Sequence, residues 1–236
     1  FGAKIDNIIM TDSKGVINQS RTNLSNEKKF FVTKRKINSL EEAMVNSDVF
    51  IGLSMANILT EKMLASMSKD PIVFAMANPD PEINYDIAMS VRDDIIFATG
   101  RSDLPNQVNN VLGFPFIFRG ALDVRATKIN EEMKKAAVVA LAELAKKPVP
   151  EQVNIAYDET KLLFGKDYII PKPFDPRLIS EIPPAVARAA MESGVAQEPI
   201  TDWDKYTQIL EERLGNNQKL IRIIHRRARK AKNKKL

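Results

Sequence analysis

The feature that most limits what this chain can fold into is a repeat of short apolar runs. Stretches rich in Ile, Val and Phe at 49–53, 72–77 and 95–99 begin about 23 residues apart, and a similar run lies at 5–11. Apolar runs of this length, bounded by turn residues, predict fully buried strands. Helix signals fill the intervals. Ser39-Leu-Glu-Glu42 is a capping box that predicts a helix to about Asn46; Thr60 predicts one to about Met67, and Asn84 one to about Val91. Strands and helices alternating at that pitch predict βα units on a parallel sheet, so the fold class is α/β and doubly wound.

The rest of the chain reads as helical. Apolar residues recur at helical spacing over 114–124, 130–146, 176–193 and 201–214, with a loop at 148–152 and with Gly194 and Gly215 as C-caps. Residues 164–174, with three aromatics and two prolines, predict an extended stretch laid over the body. The expected organisation is an α/β domain over 1–147, a helical extension over 148–215 and a basic tail over 216–236.

Composition excludes several functions. There is no cysteine, hence no disulfide, thiolate metal site or cysteine nucleophile, and the one histidine, His225, cannot build a histidine cage. No apolar run approaches the ~20 residues that span a bilayer, and the start lacks a secretory signal, so a cytoplasmic protein without membrane attachment is expected. The net charge of +5 suggests nucleic acid until it is located. Residues 222–236 carry eight Lys and Arg and no acid, so the remainder is 5 − 8 = −3. The basic character belongs to the tail. Its apolar positions Leu220, Ile221, Ile223 and Ile224 allow a basic amphipathic helix for an acidic partner, a membrane surface or RNA, against a simple solvated tail, which is the reading preferred here.

In sheets of this kind ligands bind beyond the carboxyl ends of the strands. Those ends carry Asp12, Ser13 and Lys14; Ser54; Asn78-Pro-Asp-Pro81; and Thr99-Gly-Arg-Ser-Asp103. Asn106, Gln107, Asn109 and Asn110 follow, and carboxamides suit a hydroxy acid or a nicotinamide amide equally with a turn or cap role.

Taken together, Asn78-Pro-Asp-Pro-Glu82, Thr99-Gly-Arg-Ser-Asp103, Leu104-Pro-Asn-Gln-Val-Asn-Asn110 and Val111-Leu-Gly-Phe-Pro115 resemble the NAD(P)-binding domain of malic enzymes, above all the large bacterial NADP-dependent type. The resemblance continues through Lys172-Pro-Phe-Asp-Pro-Arg-Leu178 and covers nearly all of 1–215. It implies a Rossmann-like sheet joined after its first strand, since no G-x-G-x-x-G occurs. It implies that Asn78 and Asn110 contact the nicotinamide ribose region and malate, with Asn109 beside them. Asp12 then faces the adenosine ribose, Ser54 lies on the cofactor side, and Ser13 and Lys14 face a 2′-phosphate, helped by Lys28 or Lys29. A carboxylate at this edge favours a free ribose diol and a lysine favours a phosphate; the expected cofactor is NADP, with NAD the alternative.

The resemblance also implies what to seek elsewhere. The family's tyrosine and lysine acid and base, and its carboxylates for Mg²⁺ or Mn²⁺, lie in the domain before the glycine loop. Within this chain the pairs Glu41-Glu42, Asp93-Asp94, Glu131-Glu132 and Glu211-Glu212 are adjacent, so on helices they splay about 100° apart and suit solvated faces. Tyr85, Tyr157, Tyr168 and Tyr206 have no lysine motif beside them. No catalytic residue and no metal ligand is therefore expected here. The chain is read as the C-terminal cofactor-binding part of an NADP-dependent malic enzyme, which oxidatively decarboxylates malate to pyruvate and CO₂, and is expected to be inactive alone. Its alternative is a non-catalytic remnant or split subunit that binds an N-terminal malic-enzyme half, with a homo-oligomer expected when complete.

Overall fold

Asp12 ends the first apolar run by folding it back on itself. In the computed structural model, which describes residues 2–215, Asp12 Oδ1 accepts the Lys14 N–H at 2.9 Å and Gly15 adopts φ +98°. Strand β1 (Thr11–Asp12) thus pairs antiparallel with β2 (Gly15–Val16). Only glycine takes that turn without strain, and a Cβ at Gly15 would also lie 2.3 Å from the Asn38 carbonyl oxygen. The strand expected over 5–11 is corrected accordingly. Ile5–Asn7 is a single 3-10 turn, the Met10 carbonyl is taken by the Ile17 N–H at 2.9 Å, and the run does not enter the parallel sheet.

The other three runs behave as expected. Strands β3 (Val49–Gly52), β4 (Ile72–Ala75) and β5 (Ile96–Thr99) form a parallel sheet in the order β3-β4-β5, with Gly52 opposite Ala75 and Ala75 opposite Thr99. A short α1 (Asn26–Lys29) follows the hairpin; α2 (Leu40–Met44), α3 (Glu61–Ala65) and α4 (Tyr85–Val91) begin at the caps read from sequence. Ser39 Oγ accepts the Glu42 N–H at 3.2 Å while Glu42 Oε2 accepts the Ser39 N–H at 3.2 Å, the reciprocal box. At its other end α3 is closed by Arg92, whose guanidinium donates to the carbonyls of Leu64, Met67 and Ser68 and is held by Asp94.

Met44, Leu64 and Ala88 from these helices pack with Phe50, Val73 and Phe97 in one core. Because these three helices share one core with the same face of the sheet, they leave its other face without a helix of this unit. The opposite face of β3 is therefore open: Val49 and Ile51 are 48% and 60% exposed, so β3 is half-buried rather than fully buried as the sequence suggested.

These elements belong to the first of two compact units, 1–105; the second starts at Asn106. It is built from α5 (Phe114–Asp123), α6 (Glu131–Lys146), α7 (Glu151–Ala156), α8 (Arg177–Glu192) and α9 (203–215). Helices α5 and α6 pack against α8 through Ala121, Met133, Ala137, Leu144, Ile182, Val186 and Ala190. Gly120 lets α5 approach: a Cβ there would stand 2.5 Å from the Pro183 carbonyl oxygen and 2.8 Å from Val186 Cβ. The loop expected at 148–152 is shorter, because Pro150, at φ −62°, is already set to begin α7. Gly194, at φ +71°, ends α8 as expected. The stretch over 164–174 is irregular and is pinned by buried Asn106, whose Nδ2 donates to the Lys166 carbonyl at 2.6 Å and whose Oδ1 accepts the Ile169 N–H at 2.8 Å.

No described helix is long and apolar enough to cross a membrane. The readings made for the basic tail, including His225, fall outside the described residues.

Candidate functional site

Three groups of candidate residues can be built from the local structure. The first is the turn of the β1–β2 hairpin. Arg21 grips Asp12 bidentately, with Nη1–Oδ1 and Nη2–Oδ2 both 3.1 Å, and Lys28 Nζ reaches Oδ2 at 2.6 Å. Arg21 is itself steered by donation to the carbonyls of Gly15 and Val16 at 3.3 and 3.4 Å. Arg21 chiefly, then Lys28 and the Lys14 N–H, hold the Asp12 carboxyl well below the usual carboxylate range. Ser13 and Lys14 are exposed at the tip. The turn thus sets one carboxylate against the cations Arg21, Lys28 and Lys14, and its net charge is positive. Both Asp12 carboxylate oxygens accept hydrogen bonds, Oδ1 from Arg21 and the Lys14 N–H and Oδ2 from Arg21 and Lys28.

The second group stands on the carboxyl rim of the parallel sheet. Ser54 follows β3 and Asn78 follows β4; both are exposed, and the Asn78 carboxamide makes no hydrogen bond to another described residue. Their two loops are joined by Glu82, which is fully buried. Its Oε1 accepts the Ser54 N–H at 3.1 Å and its Oε2 the Ala77 N–H at 3.0 Å.

The third group lies in the second compact unit, where the four carboxamides separate by role. Asn106 is structural and Gln107 is buried. Asn109 caps a 3-10 turn, Asn110–Leu112, by accepting the Val111 N–H at 3.0 Å; Asn109 and Asn110 are both exposed, and the Asn110 carboxamide makes no hydrogen bond among the described residues.

Among the described residues no three His, Asp or Glu side chains gather where they could hold a metal. The acidic pairs are engaged in other ways. Glu42 serves the capping box, Asp94 pairs with Arg92, and Glu131 pairs with Lys134 in the first turn of α6. The tyrosine hydroxyls are likewise committed where the structure gives them partners: Tyr206 donates to Asp123 Oδ2 at 2.7 Å, and Tyr157 accepts the Phe174 N–H at 3.1 Å. Lys172 lies 5.1 Å from the Tyr157 ring centroid rather than at the hydroxyl, and burial lowers its pKa. The described residues do not fit a divalent cation.

Residues 3–158 match the family model described as malic enzyme, NAD binding domain. The chain belongs to the malic enzyme family. It is 54% identical over 198 residues to the NADP-dependent malic enzyme of Halomonas elongata, a match covering 84% of this chain and 47% of that protein. It is 52% identical over 233 residues to the NADP-dependent malic enzyme of Escherichia coli, covering 98% of this chain and 31% of the relative. The crystal structure of Entamoeba histolytica malic enzyme superposes with a TM-score of 0.80 at 33% identity, over 95% of this chain and 45% of that one. The chain spans less than half the length of these relatives, and what it spans is the cofactor-binding portion of a malic enzyme, with a Rossmann-like α/β fold.

Two residues of this malic-enzyme domain escaped the sequence reading. Arg21 sits nine positions beyond Asp12 in a polar loop and carries no local signal. Glu82 did carry one, an acidic side chain between Pro81 and Ile83, which are themselves buried.

Proposed function

We propose that this chain is the cofactor-binding part of an NADP-dependent malic enzyme, acting in the oxidative decarboxylation of malate to pyruvate and CO₂. The observation that carries the choice of NADP is the cation-compensated Asp12. A carboxylate held by Arg21 and Lys28 does not repel a 2′-phosphate, while Ser13 offers a hydroxyl donor and Lys14 a point charge at the exposed tip. Bound NADP supplies the acceptor for the hydride that leaves C2 of malate. The residues of this chain then bind and orient: Ser54 and Asn78 on the strand rim of the first unit, and Asn109 and Asn110 through their carboxamides in the second.

The test is comparative. Lys14→Ala and Lys28→Ala, each measured for NADP⁺ and NAD⁺ binding, should weaken NADP⁺ about five- to tenfold while changing NAD⁺ little. Equal losses for both cofactors would remove the phosphate-binding role.

The proposed chain binds and orients but does not oxidise malate unaided. A second reading, in which it works as a subunit completed by the N-terminal half of a malic enzyme, is favoured by β3. That strand has a partner on one side only among the described residues, and Val49, Ile51 and Leu53 lie exposed along it. Parallel sheets are stable when both faces are covered. Mixing the chain with the portion of the Escherichia coli relative that precedes the matched region decides this: a one-to-one complex with NADPH formation supports it, and two separate species refute it.

A further inference from the structure

Glu82 is fully buried, carries two acceptor oxygens and pairs with no cation among the described residues. Each oxygen takes a backbone N–H from a different strand end, Ser54 after β3 and Ala77 after β4. Two further bonds run from the same place. The Leu59 N–H donates to the Glu82 carbonyl at 3.0 Å, and the Asn57 N–H to the Pro81 carbonyl at 3.1 Å. The whole loop after β3, 53–59, thereby hangs from residues 81–82. The loop after β4 is closed into a ring by the Ala77–Glu82 contact, with Asn78 as the first residue inside it.

The space for this arrangement is made by Gly52. A Cβ at that position would stand 2.3 Å from Glu82 Cδ and 2.4 Å from Oε1, so any other residue at the end of β3 would evict the carboxylate. Gly52 and Glu82 thus form one device, thirty positions apart in the chain and in contact at the sheet rim.

We infer that Glu82 is a positioning residue for the nicotinamide half of the cofactor: through the N–H groups of Ser54 and Ala77 it fixes the two loops that present Ser54 and Asn78. The inference rests on the cofactor reading given above and adds to it the part that holds the rim rigid. Glu82 touches neither cofactor nor substrate; it acts through the loops.

Glu82→Gln is nearly isosteric and tests this. A carboxamide keeps one acceptor but turns an NH₂ group towards the second backbone N–H, so one of the two bonds must fail. Amide hydrogen exchange on the purified chain should show faster exchange at Ser54 or Ala77, with the sheet amides of Phe50 and Val73 unchanged. Binding of NADP⁺ should weaken about tenfold, while adenosine 2′,5′-bisphosphate, which reaches only the Asp12–Lys14 turn, binds as before. A purely structural role would move both ligands together or neither. Unchanged exchange at both Ser54 and Ala77, or equal loss of both ligands, overturns the proposal. If the wild-type chain binds neither ligand, the cofactor reading fails instead, and the exchange result still decides whether Glu82 holds the loops.

Discussion

At Asp12 a carboxylate with two cationic partners titrates unlike a free one. Its pKa lies below the 3.8 of an unperturbed aspartate, so the fold favours the ionised form. The contribution it makes to stability is therefore complete above pH 3.8 and fades as the pH falls through the lower value of the folded state. An NMR titration of the side-chain carboxyl carbon should place the Asp12 midpoint below 3.8 in the wild type and nearer to it in Arg21→Ala. The same midpoint in both proteins would mean that the bidentate pair does not persist in solution. Asp12 itself was legible in the sequence, as an acid at the end of an apolar run. What it does was not, because Arg21 and Lys28 reach it from nine and sixteen residues away and only the folded hairpin brings them in.

Among the elements, local chemistry was read well and pairing less so. Ser39, Thr60 and Asn84 each accept a backbone N–H in the turn they were expected to cap. Removing one such bond by Ser39→Ala should cost about 1 kcal/mol in denaturant unfolding of the first unit. The run over 5–11 misled because composition cannot reveal that Gly15 and the Asp12 turn spend its hydrogen bonds on a hairpin. Helix contacts were equally hidden: nothing in the sequence marks Gly120 as the close approach of α5 to the Pro183–Val186 stretch of α8. Gly120→Ala should destabilise the second unit by about 1–3 kcal/mol, since helix backbone and Val186 cannot both retreat. Gly113→Ala is the control, because a Cβ there meets its nearest neighbour at 3.9 Å. Equal effects of the two substitutions would show that helix propensity, rather than the crossing, is being measured.

For the molecule as a whole, charge and chemistry are divided unevenly along the chain. Ending the chain at Ile221 removes eight positive charges and leaves −3, so the shortened protein should pass through a cation exchanger at neutral pH that retains the full chain. Retention of both would place basic surface in the body. Purified chain given NADP⁺, malate and Mn²⁺ should form no NADPH, and any turnover would overturn the proposal that it does not oxidise malate unaided. The open side of β3 has a further consequence for how such a chain behaves in a test tube. An uncapped strand with outward-facing Ile51 and Leu53 is a template for whatever extended backbone meets it, a second molecule of the same kind included. Light scattering should climb with protein concentration, and Ile51→Lys should suppress that rise while leaving the helix-covered face of the sheet intact.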